Sequence, residues 1–427
     1  MAMNIFLIND SSSNPNWGDR AAAFTLKKMI SELGGIITVS LTEEDLRESH
    51  FSMEKKEEKI NKKYSGRLHL FIPPIGYKIK DRLLSKAKHT NHQLIPEKIE
   101  EFDRFVKLVF ANAKIYSLIL EGIQKTDLII IHGNGAMRSN DAIPRSMLFI
   151  AYLAKKYFNK PVIIINHSVD FRHPELYRIA RAVYPLFNDV VFRDTISVEN
   201  HKDLGKSRFA PDTGFIMKPL KFNSWLPFLK RSEYFSVWPD SAEFNPSEPY
   251  ICVGGSSIYN KRTAGGYDIV NGIIQLLQYL RNIYKGQIVL TASDRVDEIY
   301  FRIISKQYGY PLIGLNIPIQ QAVDILGNAD AYIGGRWHSS IFSLRGGVPI
   351  VPISANTHKM DAIMLMAGIC SSSFNALDLE HEKDKIGLML LSHLDSGSEL
   401  RHRLSTWAEM QCEKSWENLN YLKRFNS

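Results

Sequence analysis

The sequence predicts an α/β protein made of two Rossmann-like domains that face each other across a cleft, with parallel sheets and a helix at the C-terminal end. Three observations carry this. Short β-branched runs alternate with helix-period segments over residues 1–220, a Trp- and Pro-rich stretch without periodicity occupies 221–249, and the alternation resumes over 250–399. The stretch 221–249 is therefore read as the linker between the domains, and 400–427 as a C-terminal helix.

In the first block the strands are Ile5 to Ile8, Ile36 to Val39, Leu128 to Ile131, Val162 to Ile165 and Val190 to Phe192. Helix-period segments such as Ala21 to Leu33 and Met147 to Tyr157 lie between them. A charged insertion at about 43–114, with clusters such as Glu54-Lys55-Lys56-Glu57, reads as solvated helices. The second block has strands Tyr250 to Val253, Gln287 to Thr291, Ala331 to Gly334 and Pro349 to Ile353. Its helices are Asp268 to Ile283, Val296 to Gln307, Gln320 to Gly327 and Ser339 to Arg345. In the last helix Leu404, Trp407, Met410 and Cys412 are available for burial.

The chain has 427 residues, 44% hydrophobic and 23% charged, which excludes a disordered or low-complexity polymer. Its 53 Lys and Arg against 45 Asp and Glu leave a formal charge of +8, suited to anionic ligands, acidic glycans or a lipid surface. The basic residues are interspersed with acids and form no stripe with stacking aromatics, so nucleic acid is not expected as a partner. Three cysteines, Cys252, Cys370 and Cys412, are too few and too scattered for a disulfide framework or thiolate zinc site. The opening residues lack a basic start and an apolar run of the ~7 to 15 residues that export needs, and no apolar stretch nears the ~20 that span a bilayer. A reducing, cytoplasmic setting is expected, with at most peripheral contact at the inner membrane face.

Polar residues collect at predicted strand ends, where an α/β sheet receives its ligands. Asn16-Trp17-Gly18-Asp19 opens the first helix. Asp19 either caps or begins that helix, with Gly18 relieving a turn, or it accepts a hydrogen bond from, or deprotonates, an acceptor hydroxyl. Gly133-Asn134-Gly135, after His132, reads as a tight βα turn or as backbone that approaches a ligand closely. Asn166-His167-Ser168 and Arg193-Asp194 end the next two strands. Arg193 either pairs with Asp194 or Asp189, or forks onto a phosphate or carboxylate. In the second block, Gly334-Gly335-Arg336-Trp337-His338-Ser339 brings glycines, a guanidinium and an imidazole to one helix start, a combination suited to a bound phosphate.

These segments, in this order, resemble the polysaccharide pyruvyl transferase family. The resemblance rests on Asn16 to Asp19, Gly133 to Gly135, Arg193-Asp194, Gly254-Gly255-Ser256, Arg336-Trp337-His338, Gly347-Val348-Pro349 and Lys359, and spans about residues 4–367 outside the insertion. Two turns depart from the family pattern, His132 to Gly135 and Asn166 to Ser168, both at the edge expected to face the acceptor. The resemblance implies a GT-B-like fold. It also implies transfer of a pyruvyl group from phosphoenolpyruvate to two hydroxyls of one sugar, in a polysaccharide or a lipid-linked glycan, with release of phosphate. On this reading His338 is the general acid or base, Arg193 and Arg336 clamp anions, Lys359 is a weaker anion contact, and Asp19 serves the acceptor. Asn16, Gly18, Gly133, Asn134, Gly135, His167, Gly254, Gly255, Ser256, Gly335 and Ser339 shape the substrate site. No metal or cofactor is required.

Two rivals share the architecture. One is a glycosyltransferase that uses a nucleotide sugar, and the other a glycan- or phosphate-binding protein without catalysis. Closure of the domains about 221–249 is expected because the proposed anion groups sit on both halves, and a homo-oligomer is compatible with the sequence.

Overall fold

In the computed structural model, which describes residues 2–49, 51–52, 94–229, 237–239, 242–260, 267–369 and 372–426, two six-stranded sheets lie in separate domains. The first sheet contains β1 (Met3–Asp10), β2 (Gly35–Thr42), β3 (Leu128–Met137), β4 (Val162–Val169), β5 (Asp189–Phe192) and β6 (Arg208–Phe209). All are parallel, in the spatial order β2-β1-β3-β4-β5-β6. β1, β3 and β4 are buried almost throughout, because helices cover both faces, and this is why they read as unbroken apolar runs.

One face carries α1 (Trp17–Glu32). The other is packed by α2 (Glu43–Glu48), α3 (Phe102–Ala111), α4 (Ser117–Gln124), α5 (Ala142–Phe158) and α6 (Pro174–Val183). The expectation of solvated helices in the insertion fails for its described part. Leu46, Phe51, Ile95, Phe102, Phe105, Val106 and Val109 are core residues of this domain. The charge cluster at 54–57 lies outside the described residues. The short α7 (Thr195–Asn200) follows β5, and α8 (Phe222–Leu229) opens the stretch between the domains.

The second sheet contains β7 (Val237–Trp238), β8 (Tyr250–Ser256), β9 (Gln287–Thr291), β10 (Leu312–Ile313), β11 (Tyr332–Gly335) and β12 (Ile350–Pro352), in the order β12-β11-β8-β9-β10-β7. It is parallel except for β7, an edge strand from the linker that runs antiparallel to β10. Its helices are α9 (Ile269–Ile283), α10 (Arg295–Tyr308), α11 (Ile319–Gly327), α12 (Trp337–Arg345), α13 (Lys359–Met366) and α14 (Leu379–Asp395).

α15 (Gly397–Ser415) and α16 (Asn420–Asn426) complete the chain, joined by a 3-10 turn. Leu404 is buried and Trp407 packs edge-on against Phe215, but Met410 stays exposed. The chain then returns to the first domain, where Leu419 and Leu422 join the core beneath β1, β3 and β4.

Each sheet reverses its winding once, between β1 and β3 and between β8 and β11, and such switch points are where open α/β sheets bind ligands. The N-terminus of α1 fixes how the two switch points face. Trp17 and Ala21 sit in a core cluster otherwise built largely by the second domain, the Trp17 indole donates to Leu315 O at 3.3 Å, and Arg20 donates to the carbonyls of Leu315 and Ile317. Trp17 is almost fully buried there, so the start of α1 is packed into the second domain.

Candidate active site

β11 ends at Gly335 and α12 begins at Trp337, so His338 occupies the first turn of a helix aimed at the other domain. Its imidazole rests on the backbone of Gly18. A Cβ on Gly18 would stand 2.0 Å from Nδ1, and one on Gly214 would stand 3.3 Å from Cδ2. Gly18 therefore serves contact across the domain junction and not a turn, since it lies inside α1. The other ring nitrogen, Nε2, is 3.4 Å from Asp212 Oδ2.

Asp212 is fully buried and organises the floor of the site. Its Oδ1 accepts from Gly214 N at 2.7 Å, and Oδ2 accepts from Arg193 Nη1 at 2.9 Å and from Trp337 Nε1 at 3.0 Å. Burial alone would raise its proton affinity. The neighbouring His338, Arg193 and Gly214 N–H outweigh that and hold the carboxyl well below the usual range. Asp212 is thus a carboxylate that meets a side chain from each domain, Arg193 from the first and His338 from the second. Beneath it, Ser415 donates to Asp212 O, so the returning C-terminal segment supports the floor.

Arg193 takes neither carboxylate that the sequence suggested. Asp189 pairs with Arg208, and Asp194 caps α7 and holds His358 at 3.1 Å. The guanidinium instead uses Nε on Ser168 Oγ and Nη1 on Asn134 Oδ1 and Asp212, and lies 5.0 Å from the Trp337 ring. Among the described residues Nη2 makes no hydrogen bond, and it lies 3.7 Å from where a Cβ on Gly135 would be.

Asn16, not Asp19, caps α1: its side chain accepts from the N–H groups of Gly18 and Asp19 and donates to Asp294 Oδ2 of the other domain at 2.9 Å. This leaves Asp19 in the first turn, with Oδ1 accepting from Asn134 Nδ2 at 2.5 Å. Burial raises its proton affinity, and His338, Asn134 and Arg193 only partly offset that. Asn9, Asn134 and Asn166, at the ends of β1, β3 and β4, adopt left-handed backbone with φ of 68°, 47° and 53°. Asparagine tolerates this conformation better than most residues. It bends the strand ends, where the pairing registers of β3 with β4 and β4 with β5 also shift.

On the second domain Arg336 is held by acids. Nε and Nη2 form a bidentate pair with Asp297 at 3.0 and 2.7 Å, and Nη1 lies 3.5 Å from Asp294. Lys359, at the start of α13, enters the same space. Burial, then Arg336, Arg138 and Arg193, keep its ammonium well below the usual lysine range.

Most of these groups line one cavity of about 530 Å³ at the domain junction, with Asp212 and Asp297 buried behind its wall. Its walls include Asn16, Gly18, Asp19, Asn134, Gly135, Arg193, Arg336, His338, Ser339 and Lys359, all anticipated from sequence. Other anticipated residues do not line it. His167 is fully buried with Nδ1 on Val191 O and Nε2 on the Tyr184 hydroxyl. Gly133 continues β3, in no βα turn, and is small because a Cβ would meet the His167 side chain at 2.5 Å. Gly254 and Gly255 make room for Tyr332 and Asp297, with Cβ positions 2.4 and 2.0 Å from the nearest atoms. Ser256 donates to Ser354 O, and Gly335 is pressed against Ser256. These six residues position the site from behind. Among the described residues no three His, Cys, Asp or Glu side chains gather in a metal-binding group.

Sequence reasoning missed Asp212, Asp297 and Arg138. The first could have been found from Asp212-Thr213-Gly214, a small-residue turn after a strand. Asp297 falls one helical turn after the Asp294 cap and carried no such signal.

Two Rossmann-like domains meeting at a polar cavity between facing switch points, with an imidazole from one domain and a guanidinium from the other on a shared carboxylate, make a GT-B-like fold. The chain belongs to the polysaccharide pyruvyl transferase family, whose sequence profile matches residues 16–357. No curated protein matches it significantly. Among solved structures it is similar in fold to UGT89C1 from Arabidopsis thaliana complexed with quercetin, with TM-score 0.54 and 13% identity over 100% of this chain and 99% of that one. It is also similar to a UDP-GlcNAc 2-epimerase from Neisseria meningitidis bound to UDP-GlcNAc, with TM-score 0.50 and 12% identity over 96% and 99% of the two chains.

Proposed function

We propose that the protein transfers the pyruvyl group of phosphoenolpyruvate to two hydroxyls of one sugar in a polysaccharide or lipid-linked glycan, forming a cyclic ketal and releasing phosphate. The observation that carries this reading is that His338 and Arg193, which both line one cavity, meet on the buried Asp212 behind its wall. Ketal formation needs a proton for the enol carbon, cations for phosphate and carboxylate, and a base for the hydroxyl.

His338 delivers a proton to the methylene carbon of the donor, which becomes the methyl group, while positive charge develops at C2. The first sugar oxygen bonds to C2 and its proton passes to Asp19. The second sugar oxygen then bonds to C2 as the C2–O bond to phosphate breaks, and its proton leaves with the phosphate. Asp212 remains ionised beside the imidazole, and Arg193 offers Nη2 to the donor's negative charge. Asn134 bridges Arg193 and Asp19, which places donor and acceptor groups in register.

No helix of the described residues is long and apolar enough to cross a membrane. On this reading a lipid-linked acceptor is met by peripheral contact, drawn by the net charge of +8. The test is phosphate release from phosphoenolpyruvate with candidate glycans, in wild type and His338→Ala. Release that depends on the glycan and is lost in the variant supports the reading, whereas stabilisation by a nucleotide sugar and not by phosphoenolpyruvate contradicts it.

A further inference from the structure

The sign of the charge reverses on one wall of the cavity. The chain as a whole carries +8, yet the wall that the first domain builds from α1, α2 and the start of α5 presents the carboxylates of Asp19, Glu43 and Asp141. Asp141 caps α5 and accepts from the Ser139 hydroxyl. Glu43 opens α2, which is fixed by a capping box between Thr42 and Asp45 and by the buried Leu46. Its Oε2 accepts from Asn14 Nδ2 at 2.5 Å and its Oε1 pairs with Arg47. A carboxylate has about four acceptor positions, so Glu43 keeps unused capacity on the cavity side. Asp19 is bonded at Oδ1, by Asn134, and among the described residues its Oδ2 accepts nothing.

Beside these acids stands an acceptor that lacks a donor. Asn9, at the left-handed end of β1, is 3% exposed and lines the same cavity. Its Nδ2 donates to His132 O at 2.6 Å, whereas its Oδ1 is buried without a hydrogen-bond partner among the described residues. A buried oxygen in that state is unfavourable until a donor reaches it. The wall therefore calls for a ligand that donates hydrogen bonds.

Charge narrows the choice. Burial raises the proton affinity of Glu43 and the charge of Asp19 adds to it, while Arg47 and Asn14 oppose. Two carboxylates that already repel each other repel a third. A cationic amino sugar meets a different obstacle, since Arg47 stands on this wall and Arg193 and Lys359 line the same cavity. A neutral sugar meets neither. Its hydroxyls can donate to Glu43, Asp19 Oδ2 and Asn9 Oδ1, and Ala142 and Ile143 on the same wall offer apolar surface to its C–H face.

We infer that Glu43, together with Asn9, determines acceptor specificity: the two hold hydroxyls of an uncharged sugar residue, a hexose or an N-acetylhexosamine, and Glu43 excludes a sugar that carries a carboxylate. The inference rests on the transfer reading above and adds the chemical class of the acceptor to it. An acidic glycan, which the net charge suits, is thereby excluded at the reacting sugar, because that charge belongs to the whole chain and not to this wall.

The experiment measures binding of methyl glycosides to the folded full-length protein by saturation-transfer NMR and titration, without phosphoenolpyruvate. The probes are the methyl glycosides of glucose, galactose, mannose, N-acetylglucosamine and N-acetylmannosamine, and the matched methyl glucuronide, galacturonide and mannuronide. The proteins are wild type, Glu43→Gln and Arg47→Gln, each checked by thermal melting. Arg47→Gln breaks the same ion pair but keeps the carboxylate. Wild type should bind at least one neutral hexoside about tenfold or more tightly than its uronide. Glu43→Gln should weaken that hexoside about tenfold and bring the uronide to within about threefold of it, as expected for loss of a charged acceptor. Arg47→Gln should keep the hexoside within about threefold of wild type and weaken the uronide further.

Uronides that bind wild type as tightly as their neutral partners would overturn the inference, and so would wild-type affinity and preference in Glu43→Gln. A parallel loss in both variants would mark the ion pair as structural and also overturn it, as would failure of every neutral glycoside to bind. Phosphate release from phosphoenolpyruvate, measured separately with the bound glycoside, tests the transfer reading. If the glycoside binds with the expected preference and releases no phosphate, the sugar subsite stands and the donor reading fails. If Glu43→Gln releases phosphate with wild-type KM for the glycoside, the transfer reading stands and the inference falls.

Discussion

Asp212 Oδ2 lies 3.4 Å from His338 Nε2 and 2.9 Å from Arg193 Nη1, so one buried carboxylate joins groups from both domains. Removing one partner of a buried pair costs about 3–5 kcal/mol, because the remaining charge is left uncompensated. Asp212→Asn should therefore melt at lower temperature than wild type. At temperatures where it is still folded, it should release phosphate from phosphoenolpyruvate at least tenfold more slowly. Unchanged turnover in the folded variant would remove Asp212 from the account.

Gly18→Ala separates the junction from helix stability. Alanine inside a helix normally stabilises it, by up to about 1 kcal/mol relative to glycine. Here the added methyl would stand 2.0 Å from His338 Nδ1 and displace the ring. The expected result is a cooperative melt, with far-ultraviolet circular dichroism like that of wild type, and a loss of activity of about tenfold or more. Full activity would show that the imidazole need not rest where it does.

The buried histidines set a pH dependence of stability. Burial lowers the proton affinity of His132 to about 4 and of His167 to about 3, from 6.5 in the unfolded chain. Below pH 6.5 the unfolded state gains protons that the native state refuses, so stability falls as pH falls, by about 1.4 kcal/mol per pH unit for each histidine. The loss runs from about pH 6.5 down to about 4 for His132 and about 3 for His167. Melting curves across this range should show a shallower pH slope in His167→Gln than in wild type.

The net charge of +8 carries a prediction for membranes. Association with vesicles containing anionic lipid should weaken steeply between low salt and about 0.5 M, where the screening length falls to a few ångströms. Sedimentation with vesicles checks this, and binding that is insensitive to salt would show that the attraction is not Coulombic.

How far the sequence reached follows from where each signal lives. The strands of both sheets were legible because burial on both faces leaves plain apolar runs, as in Leu128 to Ile131. The strands Arg208–Phe209, Val237–Trp238 and Leu312–Ile313 were not, because two-residue elements have no periodicity. The described part of the insertion misled for a related reason: the exposed charges of α2 and α3 hid the buried Leu46, Phe102, Phe105 and Val106. Within the site, His338, Arg193 and Asp19 were legible because they stand at strand ends or helix starts. Which acid pairs with which base was not. Asp212, Arg193 and Asp297, Arg336 are pairs made by the fold, 19 and 39 residues apart along the chain. His167 shows the reverse error, since a strand-end position suggested a ligand contact while the side chain points into the packing beside Tyr184 and Phe192.

The most direct test of the central claim is a crystal structure with phosphoenolpyruvate soaked into the cavity. The account predicts density for one donor molecule with an anionic group on Arg193 Nη2 and the methylene carbon about 3.5 Å from the His338 ring, the separation of a near-attack arrangement. A donor bound elsewhere on the protein, or one that reaches the cavity with its methylene carbon turned away from His338, would contradict it.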